Sequence, residues 1–382
     1  MINDKPIIVL GSGLAGYSLV REFRKLDKET PVLMITQDDG HSYSKPMLST
    51  GFTKNKTADD LSMADPGKMA SQLNVSIRNF STVTKIDTQN EQVLLGEEAL
   101  GYQKLVLALG AQVKKLNFPG SDHPKVISIN NLMDYRAFRD QLQPNQHVLI
   151  MGAGLIGCEY ANDLLIGGYQ VSVVDPSETA MNGLIPAEAG TALSQGLQQA
   201  GAHFHFGNYV QHIEELDDGQ LCATLHSGKK VLADLIISAV GLKPDLHLAE
   251  AADIEGRQGI LTNPYLETSK NNVFALGDCA ETLEAVRLYV LPLMASARAL
   301  AKTLSGEKTA VNFGVMPIAT KTPACPVVTV PPPNTKGDWQ FSTHERGLIG
   351  RYYDASEKLN GFVLTGDALS EKTKLIKELS NN

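Results

Sequence analysis

Ile7-Ile8-Val9-Leu10-Gly11-Ser12-Gly13-Leu14-Ala15-Gly16 is an apolar run that enters a glycine turn. Four consecutive apolar residues suit a strand buried on both faces. Leu19, Val20, Phe23 and Leu26 follow at helical spacing, so the turn opens a helix. In such a strand–turn–helix the first glycine permits the tight turn. The second lets a pyrophosphate approach the backbone, and the third lets helix pack on strand. The N–H groups at the helix start face the phosphates, with the positive end of the dipole behind them. A single match is a weak signal, since a buried turn that needs small residues gives the same pattern.

The pattern returns. His147-Val148-Leu149-Ile150-Met151 leads into Gly152-Ala153-Gly154-Leu155-Ile156-Gly157, and residues 158–166 read as the helix, stopped at Gly167-Gly168. Residues 169–174 form the next strand, closed by Asp175. A repeated βαβ unit implies two dinucleotide sites and two cofactors on one chain. A carboxylate at Asp175 can accept from both ribose hydroxyls and repels a 2′-phosphate, which favours NAD over NADP. In the first unit the strand 31–36 ends at Gln37, Asp38 and Asp39, where an acid normally holds a ribose; Gln37 and Asp38 are joint candidates.

The 382 residues, 43% hydrophobic and 20% charged, describe an ordinary globular chain of two or three domains. A net charge of -8 argues against a general nucleic-acid binder. Every apolar run is broken by polar residues before it could span a bilayer, and the opening Met1-Ile2-Asn3-Asp4-Lys5-Pro6 lacks a signal-peptide layout. A cytoplasmic protein is expected, with no membrane partner. Cys158, Cys222, Cys279 and Cys325 lie far apart, which leaves neither a dithiol redox centre nor a local zinc site. No metal site is expected.

Between the repeats, 75–77 and 82–87 read as short strands, 92–96 as a small hairpin, and 105–111 as a buried strand ending in glycine. Residues 134–142 read as a helix. Beyond the second repeat, 201–206 and 231–238 read as strands. Ala239-Val240-Gly241-Leu242-Lys243-Pro244 returns the chain to its first domain, and Val273-Phe274-Ala275-Leu276 leads into Gly277-Asp278-Cys279-Ala280. Val290-Leu291-Pro292 precedes a helix over 293–304, started by its proline. From Met316 the composition changes, with extended proline segments, two strands and a terminal helix over 367–380. The fold class is α/β: two Rossmann-like dinucleotide-binding domains plus a small C-terminal α+β domain. The expected division is 1–115 with 242–315, then 116–241, then 316–382.

The two glycine turns, the strand at 105–110, the return at Ala239 to Pro244 and Ala275-Leu276-Gly277-Asp278 converge. On them the chain resembles the two-dinucleotide-fold flavoprotein reductases. Among these it is most similar to the rubredoxin–NAD reductases of alkane-degrading bacteria. That similarity is carried by Ser42-Tyr43-Ser44-Lys45-Pro46-Met47-Leu48-Ser49-Thr50-Gly51-Phe52, Gly154-Leu155-Ile156-Gly157-Cys158-Glu159 and Lys321-Thr322-Pro323-Ala324-Cys325-Pro326.

The resemblance implies FAD on the first fold. Gly11, Ser12, Gly13, Leu14 and Ala15 would hold its pyrophosphate, Gln37 or Asp38 the adenosine ribose, and Val83 the adenine through its backbone. Asp278 would bind the ribitol chain, and the helix N-terminus at Val290 would face the flavin's C2 carbonyl side. NADH would lie on the second fold, at Gly152, Gly154, Gly157 and Asp175. Lys45, Glu159 and Lys321 would surround the isoalloxazine as the catalytic residues: the lysines neutralise developing negative charge, and Glu159 orients the nicotinamide or Lys45. Two positions depart from the family pattern, Gln37 where an acid is usual and Leu109 where threonine is common.

The implied activity is FAD-dependent NADH:rubredoxin oxidoreduction, a hydride taken from NADH and single electrons passed to rubredoxin for an alkane hydroxylase. The related disulfide reductases need a cysteine pair, and the related NADH oxidases a cysteine near the Tyr43 position; this chain has neither. An NADH-dependent ferredoxin reductase of an oxygenase system is the alternative. A non-catalytic FAD- and NADH-binding sensor is a third reading. A monomer is expected.

Overall fold

The computed structural model describes residues 5–333 and 336–381; the first four residues of the segment read for a signal peptide lie outside it. Its framework elements, in chain order, are β1 (Ile7–Leu10), α1 (Leu14–Leu26), β2 (Val32–Ile35), β3 (Ser76–Arg78), β4 (Lys104–Leu107), β5 (Val126–Ile127), α2 (Leu132–Gln141), β6 (His147–Met151), α3 (Leu155–Ile166), β7 (Gln170–Asp175), α4 (Ala187–Gln199), β8 (Ala202–Phe206), β9 (Leu235–Ser238), β10 (Val273–Ala275), α5 (Val290–Leu304), β11 (Ile318–Ala319), β12 (Val327–Val330), β13 (Gly337–His344), β14 (Gly347–Asp354), β15 (Leu359–Thr365) and α6 (Lys372–Ser380).

They fall into two compact units. The first comprises Met1–Lys45, Asp60–Gln112 and Leu242–Phe313. Its parallel sheet has the order β10-β4-β1-β2-β3. β1 is buried along its whole length between β4 and β2, which is why its sequence is uninterrupted Ile-Ile-Val-Leu. Strand order reverses about β1, so the crevice beyond its carboxyl end is the place for a ligand. On α1, Leu19, Val20 and Phe23 are buried as their spacing predicts, whereas Leu26 is exposed at the last turn.

The second unit comprises Pro46–Asp59, Val113–Gly241 and Gly314–Asn382. Its parallel sheet, β5-β9-β6-β7-β8, repeats the arrangement with β6 in the central place. The run read as one strand over 231–238 is two, Lys230–Ala233 and Leu235–Ser238. They part at Asp234, whose carboxylate accepts from His147 N at 2.8 Å. The C-terminal segment forms an antiparallel sheet, β11-β12-β15-β14-β13, around Ile349, Phe362, Leu364 and Leu375. Its final helix is shorter than the sequence suggests: Gly366–Glu371 is a 3-10 turn, and α6 begins at Lys372.

Two segments join the second unit for visible reasons. Asp163 on α3 accepts from the backbone N–H of Phe52 and of Thr53, at 3.2 and 2.7 Å, and so anchors 46–59. Asn162 accepts from Ala324 N at 3.0 Å, and Gly196 on α4 lies against Cys325, which anchors the C-terminal segment. Among the described residues no helix is long and apolar enough to cross a membrane.

Candidate functional site

The two glycine turns are built alike. Gly11 and Gly152 sit at φ +111 and +106, a region open to glycine. Their N–H groups bond to Ile35 O and Val174 O, both at 2.8 Å, so each turn leaves the central strand pointed across its neighbour. A Cβ on Gly16 would overlap Gly11 O, and one on Gly157 would overlap Gly152 O. These third glycines let α1 and α3 sit directly on the turn. The middle glycines differ. A Cβ on Gly13 or Gly154 would meet nothing within 4 Å. Both residues are helix N-caps in extended conformation, and no side chain caps either helix. Each helix thus offers uncapped N–H groups, those of Leu14 and Ala15 on α1, to an open space that suits an anion.

The strand-end acids brace these turns. Asp38 Oδ1 accepts from Ser12 Oγ at 3.0 Å, Thr36 Oγ1 at 2.7 Å and Gly40 N at 3.0 Å. Gln37 beside it is exposed. Asp175 Oδ2 accepts from Ala153 N at 2.6 Å, and its Oδ1 accepts from Ser177 N at 2.8 Å. Both carboxylates therefore hold the residue between the first two glycines of their own turn, a role that spacing alone does not reveal.

Elsewhere in the first unit, Asp278 lies half-buried in the 3-10 turn Gly277–Cys279 after β10. Burial pushes its carboxyl above the usual range, and the charge of Lys45 opposes the shift. Lys45 and Asp278 thus sense each other's charge. Val290 is the first residue of α5, whose N-terminus no side chain caps. Tyr289, Val290 and Leu291 are exposed in a row there, at 37%, 38% and 47%, an apolar seat beside free N–H groups. Val83 packs its side chain into the core.

In the second unit Glu159 and Lys321 come together. Glu159 is fully buried on α3. Its Oε2 accepts from Lys321 Nζ and from Ser49 Oγ, the latter at 2.7 Å, and its Oε1 accepts from Lys321 N at 3.0 Å. The Lys321 side chain keeps 28% of its surface exposed. Sequence reasoning missed Ser49, Asn162 and Asp163. Glu159, Asn162 and Asp163 are buried polar residues at i, i+3 and i+4 on an otherwise apolar helix face, which is the signal that was available. All four cysteines are buried free thiols. Burial raises the thiols of Cys158, Cys279 and Cys325, with Cys279 at about 12, the reverse of what a reactive thiolate needs.

A family model described as pyridine nucleotide-disulphide oxidoreductase matches residues 5–298, and one described as rubredoxin binding C-terminal domain matches residues 310–379. The chain is 49% identical to a rubredoxin-NAD(+) reductase of Alcanivorax borkumensis, over 98% of each chain. It is 41% identical to one of Acinetobacter baylyi, again over 98% of each. Among solved structures, NADH:rubredoxin oxidoreductase from Clostridium acetobutylicum superposes with a TM-score of 0.83 at 24% identity, over 99% of this chain and 95% of that one, a likeness of fold. The chain belongs to the pyridine nucleotide-disulphide oxidoreductase family.

Proposed function

We propose that this chain is an NADH-dependent flavoprotein that delivers single electrons to rubredoxin. One observation carries the reading: the open, uncapped glycine turn occurs twice, so the chain is built for two dinucleotides. FAD and NADH fit these turns, because the space over Gly13 and Gly154 is the space a pyrophosphate needs. When bound, FAD would supply the chemistry that links two-electron transfer from NADH to one-electron transfer to the acceptor.

The residues divide the remaining work. The N–H groups of Leu14 and Ala15 hold one pyrophosphate, with Ser12 fixed from behind by Asp38. Gln37 or the outer oxygen of Asp38 meets the ribose, and Asp278 meets the ribitol. The free N-terminus at Val290 and the ammonium of Lys45 place positive potential where the ring gains negative charge. Gly152, Gly154 and Gly157 shape the NADH turn, and Asp175 faces its ribose. Lys321, held by Glu159, is the second positive group. The chain's buried thiols take no part.

The purified protein should be yellow, bleach with NADH under anaerobic conditions, and recover its colour when oxidised rubredoxin is added. A colourless protein that takes up no FAD would overturn the reading; faster reduction of a ferredoxin would replace the acceptor with that of the oxygenase-type alternative.

Asp278→Asn should separate fold from function. The raised carboxyl means the folded apoprotein gains stability below that titration and loses it as pH rises through it. At pH 7 the neutral variant should therefore melt above wild type without FAD, and the gap should close on acidification. It should bind FAD about tenfold more weakly, the loss of one charge-assisted hydrogen bond. An unchanged FAD affinity removes Asp278 from the ribitol site.

A further inference from the structure

We infer that Phe80 is a further FAD-binding residue, its ring an apolar wall against the adenine of the bound dinucleotide. This rests on the reading that FAD occupies the first glycine turn. Phe80 follows β3 with φ +46, a left-handed conformation that is an outlier for a bulky side chain. Such strain persists where surrounding structure imposes it, and it clusters at ligand sites. Burial does not offset it here, because Phe80 is 67% exposed.

Hydrogen bonds impose the strain. Phe80 N donates to Asp38 O at 2.9 Å, Ser81 N to Thr36 O at 2.8 Å, and Asn79 Nδ2 to Asp39 O at 3.2 Å. The segment 79–81 is thereby stitched to 36–39, the loop at the carboxyl end of β2 that carries Gln37 and Asp38. Three residues on, the Val83 N–H and carbonyl make no hydrogen bond among the described residues. A purine offers a donor and an acceptor on its edge and an apolar face on each side. Val83's backbone can read the edge, and a projecting aromatic ring can cover a face.

The test combines FAD titration of the apoprotein, read by flavin fluorescence, with thermal melts of the same apoprotein. Phe80→Gly and Phe80→Asn both tolerate the left-handed backbone and remove the ring. Both should melt at or above wild type without FAD, yet bind FAD about tenfold more weakly, as expected for one lost base–aromatic contact. Phe80→Tyr keeps the ring and should bind FAD as wild type does. Wild-type affinity in Phe80→Gly and Phe80→Asn, or an equal loss in Phe80→Tyr, would overturn the inference. A wild-type protein that takes up no FAD would instead overturn the functional reading beneath it.

Discussion

Gly13→Ala should fold nearly as well as wild type and bind FAD roughly a hundredfold more weakly, whereas Gly16→Ala should be markedly destabilised. The two positions share a motif but not a physical role. Gly13 sits at φ -67 and ψ -173, which alanine adopts freely, and its Cβ would point into open space. The cost to the apoprotein is a poorer helix N-cap, about 1 kcal/mol or less. That new methyl group would stand where the pyrophosphate must approach. Losing two charge-assisted hydrogen bonds of about 1.5 kcal/mol each gives the hundredfold figure. At Gly16 the added Cβ would overlap Gly11 O, a backbone atom fixed by the sheet, so α1 must lift away from its strand. Overpacking of this kind costs about 3 kcal/mol, and the apoprotein should melt roughly 6–10 °C lower. The same contrast should appear at Gly154 and Gly157, read through the Michaelis constant for NADH. Melts and titrations of all four variants check it; a Gly13→Ala protein that keeps wild-type FAD affinity would show that the dinucleotide lies elsewhere.

What the sequence discloses here is whatever depends on neighbouring residues. The apolar runs 7–10 and 147–151, the turn glycines and the Leu19–Phe23 face each follow from period and turn chemistry, and β1, β6 and α1 stand where those readings put them. The helix α4 escaped because Gly190, Thr191, Ser194 and Gly196 dilute its pattern. The hairpin of Val210–Glu215 with Leu221–Leu225 escaped because Glu214, Glu215, Asp217 and Asp218 make it resemble a surface loop. The site divides along the same line. Its glycines and the ends of its strands are legible, since each is fixed within one turn of chain. The partner of Glu159 is not, for Ser49 and Lys321 lie 110 and 162 residues away. Nor is the bracing role of Asp38, which required Ser12 and Thr36 to be brought together by β1 and β2. Periodicity says that a residue is buried; only topology says against what.

Lys321→Met should cost about 3 kcal/mol of stability, because it strands a fully buried carboxylate. Glu159 would keep only Ser49 Oγ and the backbone N–H at position 321, too few partners for a charge with no access to water. Glu159→Gln should do similar damage from the other side, since whichever way its amide turns its NH2 meets a group that only donates, the Lys321 ammonium or the Lys321 backbone N–H. Replacing both together, Glu159→Leu with Lys321→Met, removes the stranded charge and fills the space with apolar atoms, and pairs so exchanged are often near neutral in stability. The double variant therefore asks what the pair is for. If Glu159 only ties the 320s to α3, the double variant regains both its melting temperature and its rate. If the pair fixes a cation where charge develops on the flavin, stability returns while NADH-driven rubredoxin reduction stays about a hundredfold slow, the scale of one preorganised electrostatic contact. We expect the second outcome. A side chain so fully desolvated, yet joined to a lysine that keeps a face to solvent, is a costly way to hold a loop and a sound way to aim a charge.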